Sequence, residues 1–442
     1  MRRYAAQWVW VVWLLCSTVP LLCEDHYILR SPSGLAQAIA DRHRLTVHSP
    51  ANTEGVSGVI NPDNRTPADI VAELTSDADV QNVEIDQRVL IPEAVSGIQL
   101  NQSTAVILDT SSIQTPVPYF GGGVWGAYIN QPATALIRLS DAQGWSTGSG
   151  IVAIIDTGVD PTQPVLVSSL VPGYDFVHDV PGIASEWSDI DPSVLTTLLP
   201  APGTASGQNV VTQLNQSTAV ILDQSTAVIL DTSLLPAAFG HGTMVAGIVH
   251  LVAPTAQIMP LKAFRSDGSA SLSDIVHAIY FATDNGAQVI NMSFSLSTPS
   301  LELAKAINYA NAHGVACVAS VGNGASEAPV FPAVMHNVVG VASTSSADVR
   351  SSFSNFGTAM TQIAAPGEAI VTLYPAGLYA VASGTSFAAP FVTGGFVLLN
   401  QVDNDISLSQ ALDAISSAKR LTPDLGYGRL DLYRALRSVM SH

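Results

Sequence analysis

Three short segments of the chain contain an acid, a base and a nucleophile, in that order. They are Ile154-Ile155-Asp156-Thr157-Gly158, Gly240-His241-Gly242-Thr243 and Ser383-Gly384-Thr385-Ser386-Phe387-Ala388-Ala389-Pro390. A serine hydroxyl is a weak nucleophile at neutral pH, so an imidazole must accept its proton and a carboxylate must orient the imidazole. These residue types predict nucleophilic catalysis, with Ser386 as nucleophile, His241 as base and Asp156 as the orienting acid.

A fourth segment, Val321-Gly322-Asn323-Gly324, contains an amide that could stabilise an oxyanion. All four segments, with the order Asp, His, Ser, resemble the motifs of the subtilisin-like serine proteases. The resemblance covers the chain from about Trp125 to about Leu436. It implies proteolysis by the triad Asp156, His241 and Ser386, with an oxyanion hole made by the Asn323 side chain and the backbone N–H of Ser386.

The same resemblance assigns the substrate-binding residues. One wall of the predicted groove is the edge that pairs with a peptide substrate, and the opposite wall lines the pocket for the residue before the cleaved bond. The assigned residues are Ser293, Phe294 and Ser295 on the first wall and Ala319, Ser320, Val321 and Gly322 on the second. Small and apolar walls without a carboxylate favour apolar or aromatic substrate side chains. Ser295 stands where glycine is usual in the family, which is expected to narrow the pocket.

Each motif also has a structural interpretation, since turns and helix caps use the same residue types for conformational reasons. Their joint occurrence in family order favours catalysis. The segment around Ser386 is one residue away from the G-x-S-x-G motif of α/β-hydrolases, but in that fold the histidine follows the serine, and here only His442 does. Two classes of function remain: a secreted serine endopeptidase, and a binding or adhesion protein that uses the same scaffold.

Composition limits the partners that the chain can have. Its 442 residues are 47% hydrophobic, and the formal net charge of −18 argues against nucleic-acid binding. No cluster of His and Cys has the spacing of metal ligands, so neither zinc catalysis nor another cofactor is predicted. We expect a monomer that acts on protein or peptide substrates.

The N-terminus has the pattern of an export signal. Arg2 and Arg3 precede an apolar stretch from Trp8 to Cys23, which is shorter than the roughly 20 residues of a membrane-spanning helix. We therefore predict a signal peptide over residues 1–23 and a secreted, extracellular or periplasmic protein. An uncleaved membrane anchor is the less favoured alternative.

The remaining chain is predicted to contain two structural units. Residues 24–116 comprise a small α+β unit of order β-α-β-β-α-β and a linker, and the unit resembles the propeptide of subtilisin-like proteases. That resemblance implies a self-processing zymogen whose propeptide is an intramolecular inhibitor. Residues 117–442 are predicted to be the catalytic domain, a three-layer α/β fold with a mostly parallel sheet, because helices and strands alternate from His241 onward.

An octapeptide repeat interrupts this pattern. The sequence Gln102-Ser103-Thr104-Ala105-Val106-Ile107-Leu108-Asp109 recurs at 216–223 and at 224–231. The last two copies lie in a predicted insertion over about 186–235, which is rich in Ser, Thr, Pro and Ala. A repeat amplified in tolerant surface loops is the favoured interpretation. Self-association through these β-branched octapeptides is the alternative.

The resemblance also raises the question of calcium. Many family members bind a structural calcium through an aspartate after the catalytic one and through a loop inserted in the helix after the catalytic histidine. Here Val165 stands at the first position, and the helix runs into Leu251 without the loop. A hard cation needs about six to eight oxygen ligands. The usual family site is therefore predicted to be absent, while a structural calcium elsewhere remains open.

Overall fold

The structure is a computed structural model that describes residues 22–92, 116–120, 122–191, 193–194, 212–213, 219–222 and 235–440. Most of the predicted leader and the first and third copies of the octapeptide lie outside these residues. Within the described ranges, no helix is long and apolar enough to cross a membrane.

The N-terminal unit has the predicted β-α-β-β-α-β order. Its elements are β1 (Leu22–Arg30), α1 (Ala36–Arg42), β2 (Thr46–Ser49), β3 (Val56–Ile60), α2 (Pro67–Thr75) and β4 (Asn82–Leu90). Strand β1 begins within the last two residues of the predicted signal peptide. Helix α1 begins after Gly34, whose φ of 83° is not helical. Helix α2 begins with a capping box formed by Thr66 and Asp69.

The larger unit contains the remaining elements. Its strands are β5 (Pro116–Tyr119), β6 (Gly122–Trp125), β7 (Ile151–Asp156), β8 (Gly173–Asp175), β9 (Val180–Gly182), β10 (Thr212–Gln213), β11 (Ala219–Leu222), β12 (Gln257–Lys262), β13 (Ser269–Ser271), β14 (Ala287–Met292), β15 (Ala316–Ser320), β16 (Val338–Thr344), β17 (Ile363–Pro366), β18 (Ile370–Tyr374) and β19 (Leu378–Ala382). Its helices are α3 (Gly126–Ile129), α4 (Pro132–Leu136), α5 (Leu139–Gln143), α6 (His241–Val252), α7 (Leu272–Asp284), α8 (Leu301–Ala312), α9 (Thr385–Val402), α10 (Leu408–Ile415) and α11 (Leu432–Met440).

The predicted three-layer α/β architecture is confirmed. The main sheet has the strand order β17-β16-β15-β14-β7-β12-β8-β9, and neighbouring strands are parallel except for β8 and β9. Along β7, Ile154 packs in a core that includes α6 and α9, whereas Ala153 and Ile155 pack in a second core that includes α7 and α8. This alternation shows that each face of the sheet is covered by its own layer of helices.

The two units share a sheet and a buried polar interface. Strand β4 pairs antiparallel with β13, which adds a fifth strand to the N-terminal sheet. The Arg30 guanidinium donates to the Glu302 carboxylate at 2.8 Å and to the Tyr280 hydroxyl at 2.9 Å. Two carboxylates of β4 accept backbone N–H groups at helix starts: Glu84 from Glu302 of α8, and Asp86 from Ser273 of α7. Strand β4 therefore caps two helices of the larger unit.

Sequence reasoning missed the hairpin β18–β19 that precedes Ser386. Its turn places Ala376 and Gly377 at φ values of 64° and 74°. Such left-handed positions make a tight turn. The apolar runs on either side are too short for their pattern to distinguish strands from a loop.

Part of the second octapeptide copy pairs with this hairpin. Residues Ala219–Leu222 run antiparallel to β19, with Ala219 opposite Ala382 and Leu222 opposite Tyr379. The interpretation of the repeat as a surface loop is therefore wrong for these four residues, because the edge of β19 offers a partner for their backbone groups.

Candidate active site

Asp156 is the last residue of β7, which lies inside the main sheet between β14 and β12. Its side chain is buried, and its Oδ1 lies 2.8 Å from Nδ1 of His241. The same oxygen accepts the backbone N–H of Thr157 at 2.7 Å. These contacts fix the carboxylate where the carboxyl ends of the parallel strands meet, which is the usual position of a site in such folds.

His241 is the first residue of α6, and it is flanked by two glycines that the packing requires. Gly240 has a φ of 90°, and a β-carbon there would lie 2.3 Å from the ring of Tyr374. A β-carbon on Gly242 would lie 2.0 Å from the carbonyl oxygen of Gly158. The glycines therefore let the start of α6 approach the loop after Asp156.

Ser386 lies in the first turn of α9 and is fully buried. Its hydroxyl donates to the carbonyl oxygen of Ser293 at 3.3 Å, and the Ser293 hydroxyl donates to the carbonyl oxygen of Ser386 at 3.0 Å. The ring of the next residue, Phe387, packs against the ring of His241 with centroids 5.3 Å apart. These contacts bring the starts of α9 and α6 together beside the end of β14.

Asn323 follows β15 and is held by the residue before Ser386. Its amide oxygen accepts from the backbone N–H and from the hydroxyl of Thr385, both at 2.9 Å. The Thr385 hydroxyl also accepts the N–H of Gly322 at 3.1 Å. The structure thus brings Asp156, His241, Asn323 and Ser386 to one edge of the sheet.

The two predicted walls of the substrate groove face each other. The Oγ of Ser295 lies 3.6 Å from the position that a β-carbon on Gly322 would take. Phe294, Ala319, Ser320 and Val321 are buried beneath this edge. Leu90, the last residue of β4, forms an antiparallel bridge with Ser295. A chain segment of the N-terminal unit therefore already pairs with the wall to which substrate pairing was assigned.

The two positions compared with the family calcium site hold an apolar side chain and a buried helix. Val165 is half-buried and packs against the apolar core that contains α6. Helix α6 is continuous from His241 to Val252, with every residue buried. A buried, uninterrupted helix and an apolar side chain do not fit a hard cation.

Sequence reasoning missed two residues whose side chains hold the segments of this site through hydrogen bonds. Glu186 is completely buried and accepts hydrogen bonds from Thr157 and Gly242, the residues that follow Asp156 and His241. Asn355 accepts the N–H of Gly324 and donates to the carbonyl oxygen of Val321. Glu186 lies at the start of the segment predicted to be an insertion. No local sequence pattern indicates that Glu186 or Asn355 belongs to the site.

Comparisons with known proteins agree with this geometry. Residues 148–429 match the subtilase family of peptidases. A thermophilic serine proteinase from Bacillus sp. (strain AK1) is 34% identical over 287 residues, which cover 64% of this chain and 61% of that protein. Thermitase from Thermoactinomyces vulgaris is 29% identical over 327 residues, which cover 72% of this chain and 98% of that protein.

The fold has a solved counterpart in fervidolysin from Fervidobacterium pennivorans, a keratinolytic enzyme related to subtilisin. The two align with a TM-score of 0.66 and 21% sequence identity over 94% of this chain and 61% of that one. The family match, which covers more than half of the chain, shows that the chain belongs to the subtilase family of serine proteases.

Proposed function

We propose that the chain is a secreted serine endopeptidase in which Ser386 attacks the peptide carbonyl. The observation that carries the proposal is the buried 2.8 Å contact between Asp156 and His241 beside the start of α9. In that arrangement the carboxylate holds one ring nitrogen of His241, so that the other nitrogen takes the proton of the Ser386 hydroxyl. His241 gives this proton to the amine that leaves as the peptide C–N bond breaks, which yields the acyl-enzyme. Water, activated by His241 in the same way, then hydrolyses the acyl-enzyme and releases Ser386.

The oxyanion of each tetrahedral intermediate is stabilised by the Asn323 amide and the backbone N–H of Ser386. The proposal is supported by the two hydrogen bonds from Thr385 to the amide oxygen, because they fix the plane of the amide before substrate binds. Donors that need no reorganisation during the reaction give the largest stabilisation.

The substrate binds as an added strand along Ser293–Ser295, with its side chain between this edge and Ala319–Gly322. The bridge between Leu90 and Ser295 supports this mode, since that edge accepts an antiparallel neighbour. The apolar walls favour apolar substrate side chains, and the Ser295 side chain narrows the entrance opposite Gly322.

The N-terminal unit is proposed to be the propeptide of a zymogen. It caps α7 and α8 through Asp86 and Glu84, and its last strand ends at the substrate edge. A unit bound in this way stabilises the catalytic domain and blocks the groove until it is cut from the chain.

Replacement of Ser386 by alanine tests the catalytic proposal. We expect Ser386→Ala to lower peptidase turnover by several orders of magnitude, because binding and oxyanion stabilisation alone remain. A fluorophosphonate probe should label the wild type at Ser386 and leave the variant unlabelled. An unlabelled, inactive wild type would instead favour a binding or adhesion protein on a protease scaffold.

Replacement of Asn323 tests the oxyanion hole. Asn323→Ala should lower kcat by about 10²–10³ with little change in KM, because the lost donor acts on charge that develops in the transition state. The exposed Asn404→Ala is the matched control and should leave both constants unchanged. A change confined to KM would assign Asn323 to substrate binding.

The zymogen proposal predicts where the active enzyme begins. N-terminal sequencing of the secreted wild type should give a residue after Glu93, whereas Ser386→Ala should accumulate with the N-terminal unit attached. A mature, active wild type that still begins near Glu24 would contradict self-processing.

We also propose that the usual calcium site of the family is absent. Chelation should then shift the melting temperature of the mature enzyme by no more than about two degrees, because no ligand is lost from the folded state at Val165. Differential scanning fluorimetry with and without chelator measures this shift. A large shift, with calcium found crystallographically beside Val165 and Leu251, would be the contrary result.

A further inference from the structure

One buried carboxylate, that of Glu186, connects the segments that follow Asp156 and His241. Oε1 of Glu186 accepts from the Thr157 hydroxyl at 2.6 Å and from the backbone N–H of Gly242 at 2.9 Å. The Thr243 N–H reaches the same oxygen at 3.3 Å, and the Thr243 hydroxyl donates to Oε2 at 2.6 Å. Glu186 therefore holds the residue after Asp156 and the two residues after His241 at the same time.

The N–H groups at the start of α6 donate to Glu186 and, from Gly242, also to the Thr157 hydroxyl at 3.0 Å. The N-cap of α6 is Gly240, which has no side chain to accept the N–H groups of the first turn. The carboxylate of Glu186 takes that role from another part of the chain, and its negative charge favours the positive end of the helix dipole. The orientation of His241, the first helical residue, depends on this cap.

Glu186 is itself firmly placed. Its backbone N–H donates to the carbonyl oxygen of Val159, and the Val159 N–H donates to that of Ala184, both at 3.0 Å. The ring of Trp187 packs against Phe239 with centroids 4.8 Å apart. The carboxylate is thus anchored to the loop that follows Asp156. Its hydrogen bonds to Gly242 and Thr243 therefore fix the start of α6 relative to that loop.

We propose that Glu186 is a positioning residue for the catalytic pair, which sets the distance and orientation between Asp156 and His241. This inference rests on the proposed endopeptidase function and assigns the support of its triad to a residue of the insertion. The hydrogen-bond partners of the Glu186 side chain are Thr157, Gly242 and Thr243, whereas the residues assigned to substrate binding lie at the ends of β14 and β15. Loss of Glu186 should therefore act on kcat and leave KM nearly unchanged.

The ionisation of the Glu186 carboxyl gives a second, independent way to test the positioning role. Burial raises the pKa of its carboxyl to about 7, and the charge of Asp156 adds to the rise, while the two threonine hydroxyls and Lys262 lower it. An ionised carboxylate only accepts hydrogen bonds, and four donors converge on its two oxygens, so the ionised form matches the site. The charged or titratable groups around it are Asp156 on β7, His241 on α6, Lys262 on β12 with its partner Asp189, and Tyr374 on β18.

Activity and stability should then respond to pH in opposite directions. The pKa of Glu186 is raised in the folded state, so its contribution to stability is fully present below its unfolded pKa and is lost as the pH rises through about 7. The positioning role, in contrast, requires the ionised form and is gained over the same range. A residue with a purely structural role would move both properties together.

The test compares Glu186→Ala and Glu186→Gln with a matched control, Asp431→Asn. Asp431 is also a buried carboxylate at a helix start, where it accepts from the N–H of Arg434 and from Arg138. Active sites are counted with a fluorophosphonate, so that kcat refers to competent molecules and misfolded protein does not enter the comparison.

We expect Glu186→Ala to lower kcat per active site by about ten- to a hundredfold, with KM changed less than about twofold. Glu186→Gln keeps one acceptor oxygen and the shape of the side chain, so its kcat should lie between those of Glu186→Ala and the wild type. The ratio of wild-type to Glu186→Gln kcat should rise with pH and level off above about pH 7, while the wild type loses melting temperature relative to Glu186→Gln over that range. Asp431→Asn should lower the melting temperature and leave kcat per site unchanged.

If the wild type is active and the Glu186 variants have an unchanged kcat per site, the positioning role is wrong. The endopeptidase proposal would still stand. A pH-independent ratio of kcat would show that the Glu186 charge has no part in positioning. If the wild type neither reacts with the fluorophosphonate nor cleaves peptides, the endopeptidase proposal fails first and this inference fails with it.

Discussion

The contact between Asp156 and His241 is the constraint on which the rest of the site depends. Both side chains are almost completely removed from water, and a buried carboxylate is stable only if hydrogen-bond donors surround it. The backbone N–H of Thr157 supplies one donor and the imidazole supplies another. The chain must therefore bring a strand end and a helix start within hydrogen-bond distance, which side chains larger than hydrogen at Gly240 and Gly242 would prevent.

The main sheet makes this approach possible. The strand β7 is flanked by β12 and β14, so its end is fixed by hydrogen bonds on both sides. Helices α6 and α9 pack on the same face of the sheet and in one apolar core, which holds their first turns beside each other. His241 and Ser386 are each within the first two residues of these helices. Their juxtaposition follows from how two buried helices pack, and the core that stabilises the fold also brings these two side chains together.

The sequence predicted what depends on local chemistry. Asp156 follows an apolar run, His241 lies between glycines, and Asn323 lies in a turn after a strand, so each carries its signal in neighbouring residues. Glu186 has no such signal, because its partners Thr157 and Gly242 are distant in sequence and only the tertiary fold brings them together. For the same reason, the pairing of Ala219–Leu222 with β19 could not be foreseen: the edge that accepts it belongs to a hairpin far along the chain.

The charges near Asp156 explain why a second carboxylate, Glu186, can be buried there. The charge of Asp156 and the desolvation of Glu186 both disfavour ionisation of the Glu186 carboxyl, because each raises its pKa. The ammonium of Lys262 opposes this effect: it is fully buried, it donates to the carbonyl oxygen of Thr157 at 2.8 Å, and it pairs with Asp189 at 2.7 Å. Asp189 belongs to the same short helical turn as Glu186. The turn Glu186–Asp189 therefore supplies both the carboxylate that caps α6 and the partner of the lysine that offsets its charge. This ties the turn to the segments that follow Asp156 and His241, electrostatically as well as by hydrogen bonds.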